Sequence, residues 1–150
     1  MELTFTVSAR ISKPVHAVFE AVADPAQLSR YFTTGGAEGR LEAGATVTWD
    51  FHDFPGAFPV EVVAVEPDQK IVFRWKGAEA EGTDSKTTVT MLFEAAGPDR
   101  TLVTISEAAW RPTDAGLKAS YSNCMGWSQM LCALRVWIEH GINLREGMYK

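Results

Sequence analysis

The chain has 150 residues, 46% of them hydrophobic, and a formal net charge of -5 at pH 7. That length and apolar content suit a single domain, residues 1–150, which buries its own core without metal or disulfide support and is not disordered. The acidic balance and the lack of clustered Lys and Arg exclude a nucleic-acid partner, and with no apolar run of about 18 residues no segment is expected to span a membrane.

The opening stretch, Glu2–Ile11, alternates Leu3, Phe5, Val7 and Ala9 with Glu2, Thr4, Thr6 and Ser8. A two-residue period of this kind marks a half-buried strand and leaves no secretory signal at the start. Ser12 is placed to cap a helix with Pro14 in its first turn, and Val15, Val18, Phe19 and Val22 follow at helical spacing. Asp24-Pro25 ends that helix and starts a second, expected to carry Leu28, Tyr31 and Phe32. The glycine-rich run from Gly35 to Gly39 lacks the Lys-Ser/Thr of a phosphate cradle, and turn formation is enough to explain it.

From Gly35 to about Trp110 the chain reads as an antiparallel meander. Ala45, Val47, Trp49 and Phe51 share one face, Phe54-Pro55-Gly56 forms a turn, and Val60–Glu66 pairs with Ile71–Lys76 across Pro67-Asp68-Gln69. Val89, Met91 and Phe93 point inward on the next strand, which turns at Gly97-Pro98-Asp99 into Thr101–Trp110. Arg111-Pro112-Thr113-Asp114 breaks that strand and caps one long helix that ends at Gly141, where glycine accepts the left-handed conformation. The residues after Gly141 carry little structural signal. Strands grouped together with helices on one face describe an α+β domain: a curved antiparallel sheet of about six or seven strands around a long C-terminal helix, with two short helices after the first strand.

On that long helix, Trp127, Leu131, Leu134 and Ile138 fall on one stripe, and towards the helix start the stripe passes to Asn123, Cys124 and Ser120. A face that is bulky at one end and small or polar at the other does not fill the space beneath it evenly, which predicts a pocket between helix and sheet. Cys124 and Cys132 lie two helical turns apart, about 12 Å, too far for a disulfide, and the expectation is a reduced, cytoplasmic protein.

Three stretches together resemble a known family. Val15 to Pro25 (VHAVFEAVADP) with Leu28, Tyr31 and Phe32, the Val60–Phe73 hairpin ending in Arg74-Trp75, and Gly126-Trp127 with Leu131, Leu134 and Ile138 are similar, in this order, to the helix-grip fold of the START-like (SRPBCC) superfamily. Within it the chain most resembles proteins related to the C-terminal domain of the activator of the heat-shock protein 90 ATPase. Tyr31 stands where the family commonly has Trp. The eukaryotic co-chaperones carry an additional N-terminal domain that does much of the chaperone binding and has no counterpart here, so the family name is not read as the activity.

Trp49, Phe51, Phe58, Trp75, Met91, Phe93 and Trp110 are expected to face the long helix, each with core packing as its simpler explanation. With Trp127 they would line the pocket. Asn123 and Ser120 would supply polar anchors, unless they are a satisfied core amide and a hydroxyl bonded back to its own helix. Glu107 is in register with Val103 and Ile105, so an inward carboxylate and a role as acid or donor are open to it. The rarity of buried Glu instead favours pairing with Arg74 or a place near solvent. His52-Asp53 point to opposite faces of a strand, and three scattered histidines with two helical cysteines give no zinc spacing, so neither metal nor cofactor is expected.

The leading expectation is therefore non-catalytic binding of a small, largely hydrophobic molecule between sheet and helix. The resemblance implies two alternatives: a module acting on the heat-shock protein 90 ATPase through a chaperone contact, and a polyketide cyclase-like enzyme using Glu107 or Asn123. Exposed sheet edges also allow a homodimer.

Overall fold

The protein is described by a computed structural model covering residues 1–53 and 56–148. Phe54 and Pro55, and with them most of the expected turn before Gly56, lie outside the described residues. Strand β1 (Leu3–Ile11) leads to helices α1 (Val15–Ala23) and α2 (Pro25–Leu28). Strands β2 (Gly36–Glu38), β3 (Thr46–Asp50), β4 (Phe58–Glu66), β5 (Lys70–Lys76), β6 (Lys86–Gly97) and β7 (Arg100–Trp110) precede helix α3 (Asp114–His140). All seven strands form one antiparallel sheet in the order β1-β7-β6-β5-β4-β3-β2. Only β1 leaves chain order, closing the sheet beside the last strand. This is the expected α+β helix-grip architecture.

Local chemistry accounts for most boundaries. Thr113 caps α3 by accepting from the Gly116 N–H, and Gly141 closes it with φ 69°. Asp24 caps α2 through the Ala26 N–H. Ser12 does not cap α1: the chain bends at Ser12 and Lys13, and the cap position is the extended Pro14, whose carbonyl accepts the first helical bond, from Val18 N–H. Tyr31 and Phe32 also lie beyond α2 rather than on it. After Leu28 the backbone tightens into turns, and Tyr31 is fixed instead by donating its hydroxyl to the Ala21 carbonyl. Burial of that phenol pushes its pKa well above the usual tyrosine value. Within the glycine-rich stretch the structure forms β2, a short edge strand paired with β3, where turn formation alone was expected.

The core lies between the concave sheet face and the helices. Val47, Trp49, Ile71, Phe73, Val89, Met91, Val103 and Ile105 fill the sheet side; Met130, Leu131, Ala133 and Leu134 come from α3 and Val18, Phe19 and Val22 from α1. Phe19 meets Phe93 edge-on at 5.3 Å. No helix among the described residues is long and apolar enough to cross a membrane.

Candidate functional site

Strand register brings three polar-tipped side chains together on the concave face. Glu107 of β7 stands opposite Val89 of β6; Thr87, two residues earlier on β6, shares Val89's face and stands opposite Trp75 of β5. From above, Asn123 and Trp127 descend one helical turn apart on α3, so both reach the same point. They converge on the Glu107 carboxyl group, which is completely buried. Trp127 Nε1–H donates to Oε1 at 2.9 Å. Trp75 Nε1–H and Thr87 Oγ1–H donate to Oε2 at 3.1 and 2.6 Å. Asn123 Nδ2 donates to both oxygens at 3.1 Å.

This corrects the expectation for Glu107. Its side chain neither reaches solvent nor pairs with Arg74, which instead forms an ion pair with Asp84 at 2.7 Å on the outer surface. Four donors reward its burial, a circumstance invisible to a frequency argument. An ionised carboxylate only accepts and indole N–H only donates, so the cluster is matched in hydrogen-bonding sense. All four donors are neutral, and among the described residues no cation is paired with Glu107.

Rings surround this polar point. Trp127 lies 5.3 Å from Phe32, 6.1 Å from Phe73 and 5.5 Å from Trp75. Trp49 packs edge-on against Phe73 and Trp75 at 5.3 and 5.8 Å, and Phe58 stacks on Phe51 at 5.7 Å. These rings occupy the space where a hollow beneath the helix was expected. Two open hollows lie elsewhere: one of about 470 Å³ beside Met1, Glu81 and Ala109, and one of about 310 Å³ beside Met125, Cys132, Leu144 and Met148.

The expected site residues thus divide. Trp75, Asn123 and Trp127 bond Glu107, with Trp49 and Phe51 in the surrounding ring cluster. Met91 and Phe93 belong to the core further along the sheet. Ser120 takes the simpler of its two readings, donating its hydroxyl to the Leu117 carbonyl. Cys124 is half-buried with a free thiol and makes no hydrogen bond to Glu107. Trp110 is buried outside the main core cluster, opposite Leu3 and Ala80 and next to Ala109, whose φ of 75° bends the strand end.

Two contributors went unread in the sequence. Thr87 is a buried inward residue between two exposed-looking neighbours, and its place in the alternation with Val89 and Met91 was the available signal. Arg145, in the tail after α3, is 4% exposed, with its guanidinium 5.3 Å from the Phe32 ring centre and 5.8 Å from that of Phe51.

The profile of the family described as activator of Hsp90 ATPase homolog 1-like protein matches residues 12–139. The chain belongs to this family. Among solved structures, it is similar to protein SSP2350 of Staphylococcus saprophyticus, at 26% identity and a TM-score of 0.78 over 95% of this chain and 96% of that one. DynU16, a putative protein in the dynemicin biosynthetic locus, is also 26% identical, with a TM-score of 0.75 over 92% of this chain and 48% of that one. PFC0360w, an HSP90 activator from Plasmodium falciparum, shares the fold at 21% identity and a TM-score of 0.71, over 93% of this chain and 96% of that one. No match was found among curated protein sequences.

Proposed function

We propose that the protein binds a small, largely apolar molecule where α3 meets the sheet, with Glu107 as the polar anchor, and does so in the cytoplasm without catalysing a reaction. The observation that carries this reading is a fully buried carboxylate held only by neutral donors inside a ring of aromatic side chains. Apolar walls with a few placed polar groups are the usual composition of a small-molecule site. Two of its walls, Trp75 and Asn123, are only half-buried, which gives a route from solvent. A side chain added at Gly126, next to Trp127, would meet nothing within 4 Å, so the helix surface is open there. Entry requires Trp75 or Asn123 to give way, because rings fill the interior.

Native mass spectrometry and thermal shift against a library of lipids and aromatic compounds test the proposal. A one-to-one adduct with a matching rise in Tm is expected; at a ligand concentration of 100 times Kd the stabilisation is about 2.7 kcal/mol. A library that yields neither adduct nor shift overturns it.

Membership of the family supports a second reading, a module that acts on the Hsp90 ATPase. That warrant is associational, since a shared fold hosts many activities. An ATPase assay with the purified chain decides it: stimulation supports the reading, and an unchanged rate removes it.

A further inference from the structure

Resting on the ligand-binding reading above, we propose that the molecule recognised at Glu107 is a small aryl-alkyl amine in its ammonium form, which takes the place of the Asn123 amide. The chemistry of the cluster selects the sign of the ligand's polar end. Both Glu107 oxygens act as acceptors, and the groups that now satisfy them are two indoles, one hydroxyl and one amide, none of them charged. An ammonium would add the counter-charge that the site lacks, in surroundings where Coulomb attraction is far stronger than in water. A carboxylate ligand would place a like charge against Glu107.

The rings select in the same direction. Trp75 and Trp127 lie 5.5 Å apart and tilted by 33°, and Phe58 lies 5.8 Å from Trp75. Such faces attract cations, tryptophan most strongly. The same cluster already accepts a cation from the chain itself. The Arg145 guanidinium sits over Phe32 and Phe51 while also pairing with Asp53 at 3.9 Å, and Phe32 is in turn 5.3 Å from Trp127.

Asn123 is the donor most easily exchanged. It divides one nitrogen between two oxygens at 3.1 Å each, whereas Thr87 and Trp127 make shorter bonds from buried positions, and Trp75, also half-buried and at 3.1 Å, is packed against Trp49, Phe58, Phe73 and Trp127. Asn123 is half-buried, and Gly126, three residues further on, has open space beside it. Removing its amide therefore frees acceptor capacity on both carboxylate oxygens without disturbing the other three donors.

Isothermal calorimetry with 2-phenylethylamine, 2-phenylethanol and phenylacetate, on the wild-type chain and on Asn123→Ala, tests this. The amine is expected to bind about tenfold more tightly than the alcohol, phenylacetate not to bind, and Asn123→Ala to strengthen amine binding several-fold. Alcohol or acid binding as tightly as the amine overturns the amine assignment and leaves ligand binding standing. No heat from any of the three overturns the amine assignment alone, since the ligand-binding reading is decided separately by the library screen. Amine affinity that is unchanged or weaker in Asn123→Ala overturns the displacement of the amide. Because Asn123→Ala keeps the buried carboxylate and its three other donors, the test does not depend on a Glu107 variant that folds.

Discussion

From Met130 to Leu134, helix α3 lays only apolar side chains on the sheet, with Met130, Leu131, Ala133 and Leu134 all buried. One to two turns earlier, the same helix reaches the same sheet through Asn123 and Trp127, both hydrogen-bonded to a single buried carboxylate. The first attachment is non-directional and tolerates repacking; the second requires several donors to meet one acceptor at set distances. A helix that needed only to cover the sheet would continue the apolar stripe to its start. Placing a carboxylate and its donors at one end makes that end costly to fill wrongly and specific in what it accepts.

The largest expected effect comes from breaking the polar end. Glu107→Ala leaves the Trp75, Thr87, Asn123 and Trp127 donors without their acceptor, and at about 1–3 kcal/mol for each unsatisfied buried group the loss is on the order of 4 kcal/mol, read by urea denaturation. A loss below about 1 kcal/mol would mean that the cluster is not formed in solution. Leu134→Ala probes the apolar end and is expected to cost about 3 kcal/mol through lost burial and the cavity left behind. An equal loss from both would still separate them by ligand response, since only the Glu107 variant should abolish binding.

Two glycines on α3 sharpen the contrast further. A Cβ on Gly116 would collide with the Arg111 carbonyl oxygen, whereas one on Gly126 would meet open space. Gly126→Ala is therefore expected to raise stability by up to about 1 kcal/mol, the ordinary helix-interior difference, and Gly116→Ala to lower it. Differential scanning calorimetry on the pair checks the signs, and a destabilising Gly126→Ala would show that the space beside Gly126 is not open.

The smallest effect belongs to the surface. Arg40 grips both oxygens of Glu20 at 2.7 Å, and its guanidinium holds that carboxyl below its usual pKa. A depressed carboxylate pKa contributes stability that is present above the unfolded value and lost as pH falls through the folded one. Arg40→Ala should therefore cost about 0.5 kcal/mol near neutral pH, and the difference from wild type should vanish in acid. Urea curves at pH 7 and pH 3 make the comparison, and a gap that widens in acid would contradict it.

The element order was legible in the sequence because it rests on local signals. Alternation set the strands, the 3.6-residue stripe set α3, and Thr113 and Gly141 marked its ends. Ser12 misled because the chain bends at Ser12 and Lys13, where the Lys13 carbonyl accepts from the Thr101 hydroxyl, so the cap position falls to Pro14. The site was only partly legible. Trp75, Asn123 and Trp127 were named from their types and faces, but Glu107 joins residues 16 to 32 positions away, and those bonds are fixed by register and by how α3 crosses the sheet. Arg145 follows the last periodic element, so no pattern announced its burial against Phe32 and Phe51.

The indole N–H resonances of the five tryptophans test the central claim most directly, in a two-dimensional ¹H–¹⁵N spectrum recorded while 2-phenylethylamine is added. The signals of Trp75 and Trp127, both bonded to Glu107, are predicted to move together and saturate, while that of Trp110, outside the cluster, stays in place. Stationary Trp75 and Trp127 signals, or a uniform drift of all five, would contradict a ligand site anchored on Glu107.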